Sequence, residues 1–136
     1  MSEVDGRAAI GKLFSEAWLA TTPVAYPNRD FTPPQDGSWV QLGIAQGDAF
    51  PVEIGSGGQK RHPGTVLVQV FTKLGEGDGP GLTLAEQAAA IFRDVTVTAG
   101  TNANIRFRTP TVRNIGPGDA YYQVNVAIPF VRDAVF

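Results

Sequence analysis

The residues that could support catalysis are few and scattered. His62 is the only histidine among 136 residues, and there is no cysteine. The lack of cysteine excludes disulfides, thiolate zinc sites and cysteine nucleophiles. As a general base, His62 would need a nucleophile and an orienting partner, and the sequence indicates neither. The carboxylates show no telling spacing, although a glycosidase pair need only meet in space. We therefore expect no enzyme activity, no metal site and no cofactor.

Two glycine-rich segments could in principle bind a phosphate. Residues 75–82, GEGDGPGL, lie between a predicted strand and a predicted helix, which is the usual setting for such a loop. Pro80 replaces the glycine that the dinucleotide motif requires, and Glu76 and Asp78 would repel a phosphate. Residues 55–62, GSGGQKRH, lack the serine or threonine that follows the lysine of a P-loop. Both segments are better interpreted as surface loops.

Charged residues segregate along the chain. Between residues 95 and 118 there are three arginines and no acid, and between residues 74 and 92 there are three acids and no base. These residues are Arg106, Arg108 and Arg113, and Glu76, Asp78 and Glu86. One interpretation is ordinary solvated surface. The other is a two-ended protein whose basic and acidic patches meet in neighbouring copies, in a head-to-tail contact that closes into a ring if the rotation allows.

Hydrophobic periodicity predicts the elements that position these residues. Apolar residues at i, i+3, i+4 and i+7 from Ile10 predict a helix over residues 2–20, with Ser2 as its N-cap. A second helix is predicted over residues 83–94, with Thr83 and Glu86 as its capping box. Strands are predicted over residues 39–45, 65–74, 95–99, 104–112 and 120–130.

This order of elements predicts an α+β fold. We expect a single largely antiparallel or mixed sheet of four to five strands, with two helices packed on one face and a projecting hairpin arm. Residues 1–136 form one domain. Its parts are helix 2–20, a proline-rich extended strap over 23–37, the arm over about 48–64, helix 83–94 and an apolar C-terminal tail over 130–136. The tail docks either on the protein's own core or on a partner.

Composition also limits the partners. A net charge of −2 and a pI near 5.3 argue against sequence-independent binding of nucleic acid. No stretch of sequence approaches the roughly 18 apolar residues of a membrane span. We therefore expect a soluble protein with no membrane partner and no sequence-specific nucleic acid partner.

Four segments carry a resemblance to a known family. They are AYPNRDFTPPQDGSWV (25–40), KRHPGTVLVQVF (60–71), LAEQAAAIF (84–92), which follows the glycine-rich loop, and YYQVNVAIPF (121–130). In order and spacing they resemble the tail terminator proteins of long-tailed bacteriophages, which are related to the minor tail protein U of lambda. The pattern consists of aromatic, proline and strand residues, and it spans nearly the full chain.

The resemblance implies a structural virion protein without an active site. Such a protein assembles in the host cytoplasm as a homo-hexameric ring on the last ring of the tail tube, at the head-proximal end of the tail. It ends tube polymerisation and offers its other face for head–tail joining. The implied partners are further copies of the chain, the tail tube protein and a head–tail connector or stopper protein, and DNA can pass through the ring lumen.

Candidate contact residues come from the charge pattern, the arm, the glycine-rich loop and the apolar tail. These candidates are Lys60, Arg61, His62, Glu76, Asp78, Arg106, Arg108, Arg113, Phe130 and Phe136. Two other functions stay open. One is a head–tail connector or stopper subunit of the neck, which would lie one ring higher in the particle. The other is a small ligand-binding domain, which a ligand would stabilise against heat.

Overall fold

Two helices and eight strands are present in the computed structural model, which describes residues 2–35, 37–51, 60–98 and 104–134. The helices are α1 (Glu3–Trp18) and α2 (Gly79–Phe92). In chain order, the strands are β1 (Val24–Ala25), β2 (Trp39–Gln46), β3 (Phe50–Pro51), β4 (Lys60–Lys73), β5 (Thr96–Thr98), β6 (Asn104–Phe107), β7 (Thr111–Pro117) and β8 (Tyr121–Ala134).

The two 14-residue strands β4 and β8 form the centre of the sheet. They pair antiparallel along their whole length, from Lys60 opposite Ala134 to Lys73 opposite Tyr121. The strand order is β1-β2-β4-β8-β6-β5, with β3 beside β4 and β7 beside β8. The β1–β2 pair is parallel and the other pairs are antiparallel, so the sheet is mixed.

The predicted sheet of four to five strands is wrong, because the sheet is curled and built from more strands. β1 and β3 have two residues each, which is too short to show a period of two in a sequence. The predicted strand over 104–112 is divided at residues 108–110, ahead of β7. Pro110 lies in that break, where the lack of a backbone N–H costs no hydrogen bond between strands.

Both helices pack on the same face of the sheet. The even-numbered residues in the middle of β4 and β8, such as Val66, Val68 and Val126, are fully buried beneath them. Phe14 of α1 and Phe92 of α2 stack with ring centroids 6.2 Å apart. Burial of each such side chain contributes about 1.5–3 kcal/mol, so this one-sided core supplies most of the driving force.

The two helices begin differently. Ser2 caps α1 as predicted, and its Oγ accepts a hydrogen bond of 3.1 Å from the backbone N–H of Asp5. The predicted start of α2 at Thr83 is wrong, because the helix begins at Gly79 and Asp78 is its N-cap. Pro80 suits the first helical turn, since its fixed φ matches the helix and the missing N–H has no partner there. The Thr83–Glu86 capping box therefore does not form.

The proline-rich strap wraps around the β2 side of the sheet. Tyr26 packs against the core on the helix side. Phe31 lies against Trp39, with ring centroids 5.2 Å apart, and the Tyr121 hydroxyl donates to the Pro34 carbonyl at 2.8 Å. Trp39 pairs with Phe71, on the face opposite the helices. The strap thus contacts both faces of the sheet, with Tyr26 on the helix side and Phe31 on the opposite side.

The arm and the tail are described only in part. β3 pairs with the start of β4, with Phe50 opposite Arg61, and this pair forms the base of a hairpin. Residues 52–59, the middle of the predicted arm, lie outside the described residues. The tail from Phe130 to Ala134 continues β8, with Phe130 buried in the protein's own core and Val131 buried on the opposite face of the sheet. Val135 and Phe136 lie outside the described residues.

Gly6 and Gly11 of α1 give a matched test of helix packing. A Cβ on Gly6 would lie 2.7 Å from Cδ of Arg132, a buried side chain, whereas a Cβ on Gly11 would meet nothing within 4 Å. We expect Gly11→Ala to stabilise the fold by up to about 1 kcal/mol through helix propensity. Gly6→Ala should instead destabilise it by about 1–3 kcal/mol through overpacking. Urea unfolding followed by circular dichroism measures both, and equal stabilisation by the two variants would contradict this packing.

Candidate interaction surfaces

One face of the sheet has no described helix packed on it, and we call it the open face. It carries the odd-numbered residues of β4 and β8 and the residues that pair with them, because side chains alternate between the two faces of a strand. Gln41, Gln69, Asn125 and Arg113 form a row across β2, β4, β8 and β7. Gln69 and Asn125 are half-buried, and Gln41 and Arg113 are exposed. The centre of the open face is therefore rich in amides.

The open face is basic. Its described strand residues include four bases, Arg61, Lys73, Arg106 and Arg113, and a single acid, Asp133. This gives a net charge of +3, whereas the whole chain has −2. The bases lie at the margins of the amide-rich centre: two at the Arg61 end, one at the Lys73 end and one on β7.

Asp133 organises the Arg61 end of the open face. Its two carboxylate oxygens accept hydrogen bonds from Nε of Arg61 and from Nη2 of Arg106, each at 3.1 Å. The cluster joins β4, β8 and β6, which are neighbours in the sheet. Two predicted contact residues are thus brought together, and the residue that joins them was not predicted. A sequence cannot show this pairing, because Arg61 and Asp133 are 72 residues apart.

Arg132 lies on the opposite side of the same strand end, beneath α1. It is buried, with 3% of its surface exposed. Burial lowers the pKa of Arg132, and the nearby Glu3 carboxylate partly offsets this effect. A guanidinium remains charged in proteins even so, because its ordinary pKa lies far above neutrality. Gly6 has no side chain, and this absence lets the Arg132 side chain lie against the backbone of α1.

The remaining predicted contact residues lie in separate regions. Glu76 and Asp78 are exposed in the β4–α2 connection, at the end of β4 opposite Arg61. Lys60 is exposed at the start of β4, and His62 is half-buried on the helix side. Arg106 and Arg113 lie on the open face, whereas Arg108 lies in the β6–β7 connection, so the three arginines do not form one patch.

Phe130 is a core residue rather than a contact residue, since only 2% of its surface is exposed. It packs on Phe107, with ring centroids 6.2 Å apart. Gly64 lies directly against it, and a Cβ at that position would overlap the Phe130 ring and approach the Ala45 carbonyl oxygen to 2.7 Å. Phe136 lies outside the described residues.

Two open grooves lie away from the open face, each of about 560 Å³. Arg93, Asp94 and Arg108 line the first, at the end of α2. The second lies between α1 and the strap, where Tyr26 and Arg29 contribute to its wall. Burial raises the pKa of the Tyr26 hydroxyl, and Arg29 partly offsets the effect. Neither groove is enclosed as a small-molecule site normally is.

Among residues 2–35, 37–51, 60–98 and 104–134, no group of three or more histidine, cysteine, aspartate or glutamate side chains could hold a metal ion. Within the same ranges, no helix has the length and apolar character to cross a membrane.

Comparison with known proteins identifies the family. The model of the phage tail terminator protein family matches residues 7–130, and the chain belongs to this family. It is therefore a structural protein of the phage tail. A solved protein structure aligns with this chain with a TM-score of 0.77, over 97% of this chain and 96% of that one, at 23% identity. That likeness concerns the fold alone. No curated protein matches the chain.

Removal of the central carboxylate tests the Asp133 cluster. Asp133→Asn keeps the shape but leaves Arg61 and Arg106 close together without a neutralising charge. We expect a loss of about 1–3 kcal/mol in the free energy of unfolding, because charge-assisted hydrogen bonds to a buried partner are lost. Asp119→Asn, at an exposed loop position, is the control and should change stability by less than about 0.5 kcal/mol. Chemical denaturation of both variants gives the comparison, and equal stabilities would show that the cluster contributes nothing.

Proposed function

We propose that this protein terminates the phage tail as a homo-hexameric ring. The ring covers the last ring of the tail tube, stops tube polymerisation, and provides the surface on which a head–tail connector or stopper protein docks. The observation that carries the proposal is the family match over residues 7–130, nearly the whole chain. The ring lies at the head-proximal end of the tail, is assembled in the host cytoplasm, and leaves a lumen through which DNA can pass.

The mechanism is surface replacement. A growing assembly adds subunits for as long as each new subunit presents the edge to which it was added. A subunit that binds this edge without presenting it again ends growth. No catalytic group is needed for this, which agrees with the structural role of the family.

The edges of the sheet support a terminating role. An exposed strand edge can recruit another strand, and proteins prevent this by short edge strands, bulges and prolines. β1 and β5 have two and three residues. β7 has a bulge between Asn114 and Gly116 and ends at Pro117. On β2, the Ile44 carbonyl already accepts a hydrogen bond of 3.2 Å from Nη2 of Arg7. Continued growth by strand addition is therefore disfavoured at the described edges.

Tail length is the direct test. We expect phage that lack this protein to make tails of uncontrolled length that do not join heads, because nothing covers the growing end. Electron microscopy of particles with and without a complementing copy measures both effects. Tails of normal length in its absence would contradict termination. Tails of normal length that fail to join heads would instead indicate a connector or stopper subunit.

A further inference from the structure

We propose that neighbouring subunits associate by docking the open face of one subunit onto the helix layer, α1 and α2, of the next. The inference rests on the proposed ring and names the surfaces that form it. A sheet with helices on one face only leaves its other face without a helix layer, and here the strap covers only the Trp39 end of that face. In the assembly, the helices of a second copy cover that surface.

The charges of the two surfaces are opposite. The open face has a net charge of +3 from Arg61, Lys73, Arg106 and Arg113 against Asp133. Within their bounds, the two helices carry four acids and two bases, a net charge of −2. The acids are Glu3, Asp5, Glu16 and Glu86, and all four are exposed. Each subunit thus has a basic surface, the open face, and an acidic surface, the helix layer.

This polarity selects one mode of contact. Two open faces would bring +3 against +3, and two helix layers would bring −2 against −2. Like charges facing one another across an interface cost free energy, whereas opposite charges steer association and fix its register. Only the contact between an open face and a helix layer is attractive. Because it joins two different surfaces, it is a head-to-tail contact and can close into a ring.

The dimensions of the open face suit a stable contact. Four strands, β2, β4, β8 and β7, span about 19 Å, and the twelve residue steps from Arg61 to Lys73 span about 40 Å. Because β2 and β7 run beside the central pair over only eight and seven residues, the face offers roughly 650 Å², within the roughly 600–1,000 Å² that each partner buries in a specific interface. Its composition also fits, because arginine is enriched at protein interfaces and Arg113 on this face is exposed.

The outer side of the helix layer can approach the open face of a second copy closely. Ala8 and Ala90, both exposed, put small side chains on the outward sides of α1 and α2. Val4, near the start of α1, is one of the two most exposed large apolar side chains described, with 77% of its surface accessible. Burial of Val4 by a second copy would stabilise the contact through the hydrophobic effect, in addition to the charge attraction.

Reciprocal charge reversal tests the contact. The sheet-face variant, Lys73→Glu with Arg113→Glu, changes the open face from +3 to −1. The helix-layer variant, Glu16→Lys with Glu86→Lys, changes the helices from −2 to +2. Each variant alone now opposes like charges, so its apparent dissociation constant for self-association should rise about tenfold or more. An equimolar mixture restores both attractive contacts and should assemble like the wild type. Sedimentation velocity of each variant and of the mixture measures this, with circular dichroism to establish that both fold.

Arg93→Glu with Arg108→Glu is the matched control. It changes the net charge by the same amount as the sheet-face variant, but at the groove beyond the end of α2, and should assemble like the wild type. The inference is overturned if the sheet-face variant assembles normally, or if the folded variants fail to recover on mixing. Either result leaves tail termination standing if the wild type still forms rings and controls tail length. A wild type that neither self-associates nor controls tail length would remove the proposed function as well.

Discussion

The structure depends on the pairing of β4 with β8 along fourteen residues. These strands are more than 45 residues apart in the chain, yet every other strand, apart from β1 and β5, pairs directly with one of them. Their even-numbered side chains form the floor of the core, and their odd-numbered side chains form the centre of the open face. A register slip of one residue would exchange the two faces. The same pairing therefore determines both the stability of the fold and the chemistry of its exposed surface.

The fold places its helices on one side and thereby gives the protein two unlike surfaces. Apolar residues cluster beneath the helices, whereas amides and arginines remain on the other side of the sheet. Such asymmetry is common in sheets that have one solvated face. It suits a component of an ordered assembly, in which each surface must meet a different neighbour and the free edges must not recruit further strands. Membership of a family of phage tail proteins is consistent with that requirement.

Local features of the fold could be predicted from the sequence, and non-local ones could not. The Ser2 cap and the alternation along residues 121–130 were visible because each depends on nearby residues. The start of α2 was missed because a Gly-Pro-Gly run normally indicates a loop. The number of strands was underestimated because a two-residue strand is defined only by its pairing with a neighbouring strand, which the sequence does not show. Of the candidate contact residues, Arg106 came from the charge pattern and Arg61 from the arm, but Asp133, which binds both, could be identified only from the sheet register.

The most direct measurement is a cryo-electron microscopy map of the head-proximal end of assembled tails, at a resolution that separates helices from strands. The account predicts a single ring of this protein on the last tube ring, with the helix layer of each subunit lying on the open face of the next. A ring in which the sheet edges join into one continuous sheet, with the open faces uncovered, would contradict it. So would copies of the protein distributed along the tube.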